Sequence, residues 1–382
     1  MTRAAHAQML SRSDNSWVTE WRRTVDLSLL AAAFFLLAIG LLLSLAAGPS
    51  AASRIGYESQ FYFVFRHLLF VGIASVLLLG VSMLNAKWAR RFAAAVFFGA
   101  FCLMAYLLMF GHEAKGAQRW IRLGGFSLQP SEMVKPALIV LTGWLLAQRE
   151  LYPKGPWAIL AFAFFATTLV LLLLQPDVGQ SVLLAAAFVA TFFVSGLPMR
   201  WGAVFAGGSV GLGGLLYATL PHVRYRVHSF LDPNAESFQI EMAAKSIAKG
   251  GLFGVGPGEG DVKSTLPDAH TDFIFSVMME EFGFIAALLL IGIFAFITLR
   301  GLRTASRLTN PYPRAAAAGL FTLFGLQAVI NIAVNVSLIP PKGMTLPFVS
   351  YGGSSMIGTG LTLGLALALI RKPSAYLGSR YG

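Results

Sequence analysis

Apolar runs of about twenty residues recur along this chain from Leu27 almost to its end, each long enough to cross about 30 Å of hydrocarbon as an α-helix. In lipid every backbone N–H and C=O has to be satisfied within the protein, which for a run of this kind means a helix. With 56% hydrophobic and 12% charged residues and a mean hydropathy of +0.69, a chain of 382 residues is too apolar to stay soluble without large exposed apolar patches. The fold class is therefore an all-α integral membrane protein.

Read with a window of about nineteen residues, the chain offers ten spans, near 27–47, 66–84, 92–110, 133–147, 157–175, 178–197, 202–220, 273–299, 315–337 and 355–370. Arg22-Arg23 before the first run and Ala46-Ala47-Gly48 after it have the outline of a secretory signal. The run is longer than a usual signal core, so it reads as a retained helix. An even number of spans puts both ends of the chain on one side. The tails and even-numbered connections collect Arg22, Arg23, Lys87, Arg90, Arg91, Arg149, Arg300, Arg303, Arg307, Arg314, Arg371 and Lys372 with few acids, which marks that side as cytoplasmic. Net charge +12 thus sets topology. No basic run approaches the stripe that phosphate-backbone binding needs, so no nucleic-acid partner is expected. The lone Cys102 excludes a disulfide within the chain and a Cys-rich metal site. The expected organisation is a cytoplasmic tail at 1–26 and a ten-helix transmembrane domain at 27–371, with a large periplasmic loop at 221–272 between helices 7 and 8. A cytoplasmic tail at 372–382 follows. The first tail, to about Thr24, is polar and reads as disordered or interfacial.

This topology gathers four segments on the periplasmic side: Lys115–Lys135, Gln175–Ser181, His222–Asp272 and Pro340–Ser354. A plain spanning bundle has no reason to collect Trp, His, Asp, Lys and Gly-rich turns on one face, so the pattern favours an enzyme. The arrangement depends on a turn between the fifth and sixth spans, which Pro176 and Gly179 supply. Within the long loop, Phe238–Lys249 spaces Ile240, Ala243 and Ile247 as a helix and stops at Gly250-Gly251. That predicts an amphipathic helix flat on the outer membrane surface. Gly254–Gly260 is no nucleotide loop, since no Gly-Lys-Ser/Thr follows at the required spacing; it reads as a tight backbone turn. Beyond it, Leu266–Phe273 leads into a span that carries Glu280 and Glu281. An acid deep in a span costs about 2.5–3.5 kcal/mol, so both must face protein or water. They point about 100° apart on a helix. One can line a cavity with Asp272 while the other pairs elsewhere in the bundle.

Five motifs in order carry a resemblance that covers nearly the whole chain: Lys115-Gly-Ala-Gln-Arg-Trp-Ile121; Gln129-Pro-Ser-Glu132; Gln175-Pro-Asp-Val-Gly179; Asp268–Phe275 with Glu280-Glu281-Phe-Gly283; and Pro340–Ser355. Together they resemble the shape, elongation, division and sporulation proteins, the RodA/FtsW/SpoVE family. The Gly-Pro-Gly-Glu-Gly turn before Lys263 is more similar to the division branch, FtsW, than to the elongation branch. The resemblance implies a peptidoglycan glycosyltransferase that polymerises lipid II, the undecaprenyl-pyrophosphate-linked disaccharide-pentapeptide, at the outer face of the cytoplasmic membrane. It also implies a class B penicillin-binding protein and other division proteins as partners, membrane lipids as surroundings and the division septum as location. A divalent cation, Mg2+ or Mn2+, is implied as cofactor, with no organic cofactor.

The residues can supply that chemistry. Glycosidases protonate the leaving oxygen with a carboxylic acid. Pyrophosphate leaves readily once its charge is neutralised, so one base and a cationic cradle suffice. Asp272 is the candidate base toward the acceptor hydroxyl and the one protein ligand worth testing for the metal. Lys115, Arg119, Arg122 and Lys342 are the candidate phosphate partners, Arg by bidentate contact and Lys as a movable charge. Trp120, Lys135, Asp177, His270 and Ser354 complete the expected substrate contacts, and Glu132, Glu280 and Glu281 serve as supports. Glu132 and Lys135 share a helix face. Plainer roles stay open: Asp272 as N-cap of a helix at Phe273, Trp120 as an interfacial anchor, Asp177 as a helix end, His270 as a turn residue. Two further functions stay open as well. A lipid II flippase would carry polar groups through the depth of its spans, and a scaffold would need no particular carboxylate. An elongation-type polymerase is the alternative within the family.

Overall fold

The computed structural model describes residues 17–114, 117–123, 126–196, 238–340 and 343–372, with scattered positions between 207 and 228. The expected seventh span at 202–220 falls largely outside these residues, as do Lys115 and Lys342. Among the described residues the chain runs α1 (Trp17–Thr24), α2 (Leu27–Ile55), α3 (Tyr62–Ser82), α4 (Ala86–Phe110), β1 (His112–Ala114), β2 (Ala117–Leu123), β3 (Phe126–Leu128) and α5 (Ser131–Leu151). It continues with α6 (Trp157–Leu174), α7 (Val178–Val194), α8 (Phe238–Gly250), α9 (Val262–Thr265), α10 (Ile274–Ser306), α11 (Pro311–Asn335) and α12 (Gly353–Leu369).

Every expected span other than the seventh coincides with one of these helices. Six of them, α2, α3, α4, α6, α10 and α11, are long and apolar enough to cross a membrane, and α7 and α12 are shorter apolar helices. The innermost helices are α5, α11 and α12: Val134–Thr142 of α5 and Gly358–Leu369 of α12 are buried without interruption. The outer helices present large side chains such as Phe65, Val76 and Leu289 outward, the arrangement expected when lipid is the solvent. Cys102 lies on that exposed surface of α4.

Four expectations need correction. The chain is not purely helical, because His112–Leu128 folds as a three-stranded antiparallel sheet in the order β1-β2-β3, with Trp120 opposite His112 and Arg122 opposite Ser127. Strands fit here because the segment between two helix ends is too short and too polar to span the membrane, while Trp120, Ile121 and Phe126 favour an extended backbone. The N-terminal tail is helical from Trp17. Trp21 Nε1 donates to Ser82 Oγ at 3.0 Å, and Arg371 donates to Thr24 Oγ1 at 2.9 Å and to the Met83 carbonyl at 2.7 Å. Both ends of the described chain therefore meet at the same end of the bundle.

The third correction concerns α8, which docks on protein instead of lying free on a membrane surface. Its small residues Ala243, Ser246 and Gly250 are buried, and Ser246 Oγ donates to the Ser276 carbonyl of α10 at 3.1 Å. Small residues at this spacing let two helix backbones approach closely.

The fourth concerns α10, which is broken at Gly283 (φ 78°, ψ −178°), a backbone state that essentially only glycine adopts. The orphaned groups on both sides of the break are satisfied by the glycine-rich loop. Val255 and Gly256 N–H donate to the Glu280 and Glu281 carbonyls at 2.9 and 3.0 Å, while Phe284 and Ile285 N–H donate to the Gly251 and Leu252 carbonyls at 2.9 and 3.3 Å. A Cβ on Gly283 would stand 2.4 Å from Gly254 N and 2.5 Å from Leu252 O, so the loop is wedged into the ladder. Backbone groups at membrane depth have to be satisfied in this way. Ile274–Glu281 is buried without interruption, whereas Phe284 is 50% and Ile285 45% exposed. The outward-facing part of this span thus begins at Phe284 and not at Phe273.

Candidate active site

The carboxylate of Asp272 is presented by a turn. Asp268 (φ 53°) accepts the N–H groups of Thr271, Asp272 and Phe273 on its carbonyl at 3.0, 3.0 and 3.2 Å. The N-cap of α10 is Phe273, which makes no side-chain capping bond, so Asp272 stands one residue before the helix. Its carbonyl accepts two amide hydrogens, from Asn331 Nδ2 and Asn335 Nδ2, each at 2.9 Å. The side chain is half-buried, and Oδ2 lies 3.6 Å from where a Cβ would sit on Gly343. The acid therefore faces the loop that follows Pro340.

A second main-chain contact joins the same two segments: Tyr351 N–H donates to the His270 carbonyl at 2.9 Å. The His270 ring is buried 4.5 Å from Phe63 and 5.5 Å from Tyr351. Tyr57 stacks on Tyr62 at 4.0 Å, and the Arg66 guanidinium sits 5.1 Å over Phe126. These rings form an aromatic wall at the mouth of the site. Burial pushes the Tyr351 phenol above the ordinary tyrosine range, against a smaller opposing pull from Arg66, so it stays a hydrogen-bond donor near neutrality.

The β-sheet and the two remaining motifs form a second network. Ser354 Oγ accepts the Gln129 N–H at 2.8 Å and donates to the Ser127 carbonyl at 3.1 Å. Asp177 caps α7 through the Gln180 N–H at 3.3 Å, and its Oδ2 also receives Gln129 Nε2 at 3.0 Å and Arg119 Nη1 at 3.2 Å. Below it, Gln180 Nε2 donates to Glu132 Oε1 at 2.7 Å, while Lys135 Nζ donates to Glu132 Oε2 at 3.0 Å and to Gln180 Oε1. Each carboxylate in this buried chain meets a cation and an amide, the condition under which buried charges are tolerated. Lys135 is 1% exposed, with its ammonium turned to Glu132 and Gln180. Ser354 is likewise buried on backbone partners. Both side chains, expected to meet substrate, instead brace the residues that line the site. Trp120, 36% exposed, and the partly exposed Arg119 stand on its rim. Arg122 is placed by its backbone in β2, and its side chain lies outside the described residues, as do Lys115 and Lys342.

Glu280 and Glu281 hold the long loop; neither lines a cavity with Asp272. Glu280 accepts the Val262 and Lys263 N–H groups at 2.9 and 3.0 Å and Ser246 Oγ at 3.1 Å. Glu281 pairs with Lys263 Nζ, which also donates to the Gly258 carbonyl at 3.0 Å. The physical reason is the break at Gly283: it draws the loop to this depth, and the loop brings donors to both oxygens of Glu280 and to Oε1 of Glu281, while Glu281 Oε2 is buried without a hydrogen-bond partner.

Sequence reasoning missed Asn331, Asn335, Gln129, Gln180 and Arg66. Gln327, Asn331 and Asn335 repeat every four residues on one face of an otherwise apolar helix, and that spacing was the available signal. Being uncharged, these amides do not stand out at membrane depth as ionisable residues do.

A family model described as "Cell cycle protein", FtsW/RodA/SpoVE, matches residues 27–374. The chain belongs to the FtsW/RodA/SpoVE family. It is 50% identical over 377 residues to the probable peptidoglycan glycosyltransferase FtsW of Caulobacter vibrioides, covering 98% of this chain and 96% of that protein. The corresponding FtsW of Geobacter metallireducens is 34% identical over 360 residues, covering 90% and 93%. Among solved structures, a chain described under "Structural coordination of polymerization and crosslinking by a peptidoglycan synthase complex" superposes with a TM-score of 0.75 at 27% identity, covering 94% and 98%. Thermus thermophilus rod shape determining protein RodA gives 0.67 at 26%, with the same coverage. Family membership and the six long apolar helices make this chain a multi-pass membrane protein of FtsW/RodA/SpoVE type.

Proposed function

We propose that this protein is a peptidoglycan glycosyltransferase of the division branch, which polymerises lipid II into glycan at the outer face of the cytoplasmic membrane. The observation that carries the reading is Asp272 itself. It is a half-buried carboxylate outside the helix it precedes, held by two amides on its own carbonyl and turned toward Gly343. The 50% identity over nearly the full length to one protein named FtsW supports the division branch and a place at the septum.

In the proposed step the acceptor sugar hydroxyl gives its proton to Asp272 as its oxygen attacks the anomeric carbon of the donor. The new carbon–oxygen bond forms as the bond to pyrophosphate breaks, and the electron pair leaves with the lipid pyrophosphate. An aspartate is a weak base at its ordinary pKa of about 3.9, so proton loss and attack proceed together. Lys342, next in sequence to Gly343, and Lys115, Arg119 and Arg122 in the first motif are the proposed partners of the departing charge. Trp120 offers a face for the sugar.

A divalent cation fits this donor set in a limited way. Among the described residues no group of three or more His, Cys, Asp and Glu is arranged to hold a metal. Mg2+ usually needs only one or two carboxylates beside substrate phosphates, and Asp272 would be the one to supply it. Bound there, the ion would neutralise pyrophosphate charge.

A class B penicillin-binding protein is the proposed partner, since the family implies one and the chain resembles part of a peptidoglycan synthase complex. Both tails are proposed to be cytoplasmic, on the side where Arg300, Arg314 and Arg371 gather. The deciding experiment supplies purified protein with lipid II, with and without that partner. Glycan strands are the expected product. Movement of lipid II across vesicles without polymer would favour a flippase, and crosslinked product made only by the partner's own chemistry would favour a scaffold.

A further inference from the structure

Helix α11 carries three buried amides at four-residue spacing, Gln327, Asn331 and Asn335, on one face. All three reach main-chain carbonyls in the two segments that form the site. Gln327 Nε2 donates to the Thr345 carbonyl at 3.2 Å. Asn331 Nδ2 donates to the Met344 carbonyl at 2.6 Å and to the Asp272 carbonyl at 2.9 Å. Asn335 Nδ2 donates to the Asp272 carbonyl at 2.9 Å, while its Oδ1 accepts the Ser276 N–H at 3.0 Å and Ser276 Oγ at 2.7 Å.

Asn331 is the junction. A carboxamide has two N–H hydrogens, and here one goes to each segment. Ser276 N–H, the donor that an unbroken helix would offer to the Asp272 carbonyl, is engaged by Asn335 Oδ1 and by the Phe273 carbonyl at 3.1 Å. The Asp272 carbonyl is thus detached from the α10 ladder and bound to α11. One rigid helix thereby sets the main-chain separation between the Asp272 segment and the Gly343–Thr345 strip, whose Gly343 lies against the Asp272 carboxylate.

We propose that Asn331 is a positioning residue for the glycosyl transfer, fixing the Asp272 main chain against the Gly343–Thr345 strip, with Gln327 and Asn335 extending the same ladder. This rests on the reading of Asp272 as proton acceptor. A misplacement of about 1 Å far from the chemistry can slow a reaction by roughly a hundredfold. Substrate contacts are untouched by Asn331, so the effect falls on turnover and spares substrate affinity.

The test uses Asn331→Leu, which removes both donors at similar volume, in the full chain with its partner. Asn331→Gln keeps the amide. The first readout is hydrogen exchange by mass spectrometry on peptides covering 270–277 and 343–351. Asn331→Leu should exchange at least tenfold faster in both peptides, with peptides of α4 and α6 unchanged. The second is polymerisation kinetics: kcat should fall at least tenfold with KM for lipid II within about twofold, and Asn331→Gln should recover part of the loss. Unchanged exchange in either peptide overturns the proposal, as does a loss expressed only in KM or an unaltered kcat. If the wild-type protein makes no glycan, the transferase reading fails, while the exchange data still decide whether Asn331 joins the two segments.

Discussion

Replacing Gly283 by alanine probes the joint on which the long loop depends. A non-glycine residue held in that backbone region costs about 1–3 kcal/mol. The added Cβ would also stand 2.4–2.5 Å from backbone atoms of Gly254, Leu252 and Phe253, which no side-chain rotation relieves. The loop has to retreat, and four hydrogen bonds across the break are at risk: Val255 to Glu280, Gly256 to Glu281, Phe284 to Gly251 and Ile285 to Leu252. At about 0.5–1.5 kcal/mol each, losing two adds about 1–3 kcal/mol. The sum is about 2–6 kcal/mol, concentrated on the local opening of residues 251–265. Cleavage of a transiently open segment follows its population when reclosing is fast, and about 2 kcal/mol corresponds to a roughly thirtyfold change in population. Limited proteolysis of the protein in detergent should therefore cut this segment at least thirtyfold faster in Gly283→Ala. Gly292→Ala lies in the same helix with no atom within 4 Å of the new Cβ and serves as control. Equal cleavage of the two variants would refute the account of the break.

Lys135→Met strands Glu132 in the bundle interior with Gln180 alone. Removing one partner of a buried pair costs about 3–5 kcal/mol, so thermal unfolding in detergent should drop clearly, and the double variant Glu132→Gln, Lys135→Met should recover part of the loss. Absence of recovery would show that charge pairing is not what the site requires. Asp261, whose carboxyl is held below its ordinary value of 3.8 by its hydrogen bond to Lys249, contributes stability above that value and loses it as pH falls through the lowered one. Loop proteolysis should accordingly rise on acidification below about pH 4 more steeply in the wild type than in Asp261→Asn. Parallel curves would remove the pair from the account.

Much of the fold was legible because lipid leaves the backbone few choices. Spans such as 157–175 and 178–197 coincide with α6 and α7 within a residue or a few, since apolar length alone decides them. The four motif segments do meet, through Ser354 with Gln129, Asp177 with Arg119, Tyr351 with His270, and Asn331 with Asp272 and Met344. The break at Gly283 was not legible, because hydropathy runs smoothly through it and the cause is a loop some thirty residues earlier. The same loop decides how Glu280 and Glu281, expected as supports, are held, because their partners Lys263 and Ser246 are distant in sequence. The burial of Lys135 and Ser354 escaped for a related reason: a polar residue near a helix end looks alike whether it faces a cavity or a neighbouring helix. Asn331 and Asn335 carry no charge, so the helix that fixes Asp272 does not stand out in the sequence by buried ionisable groups.

The most direct test of the account is lipid II polymerisation by Asp272→Asn, which keeps the shape of the side chain and removes its ability to take a proton. The account predicts a variant that folds, inserts and binds its partner as the wild type does and makes no glycan. Glycan strands of normal length and rate from that variant would contradict it.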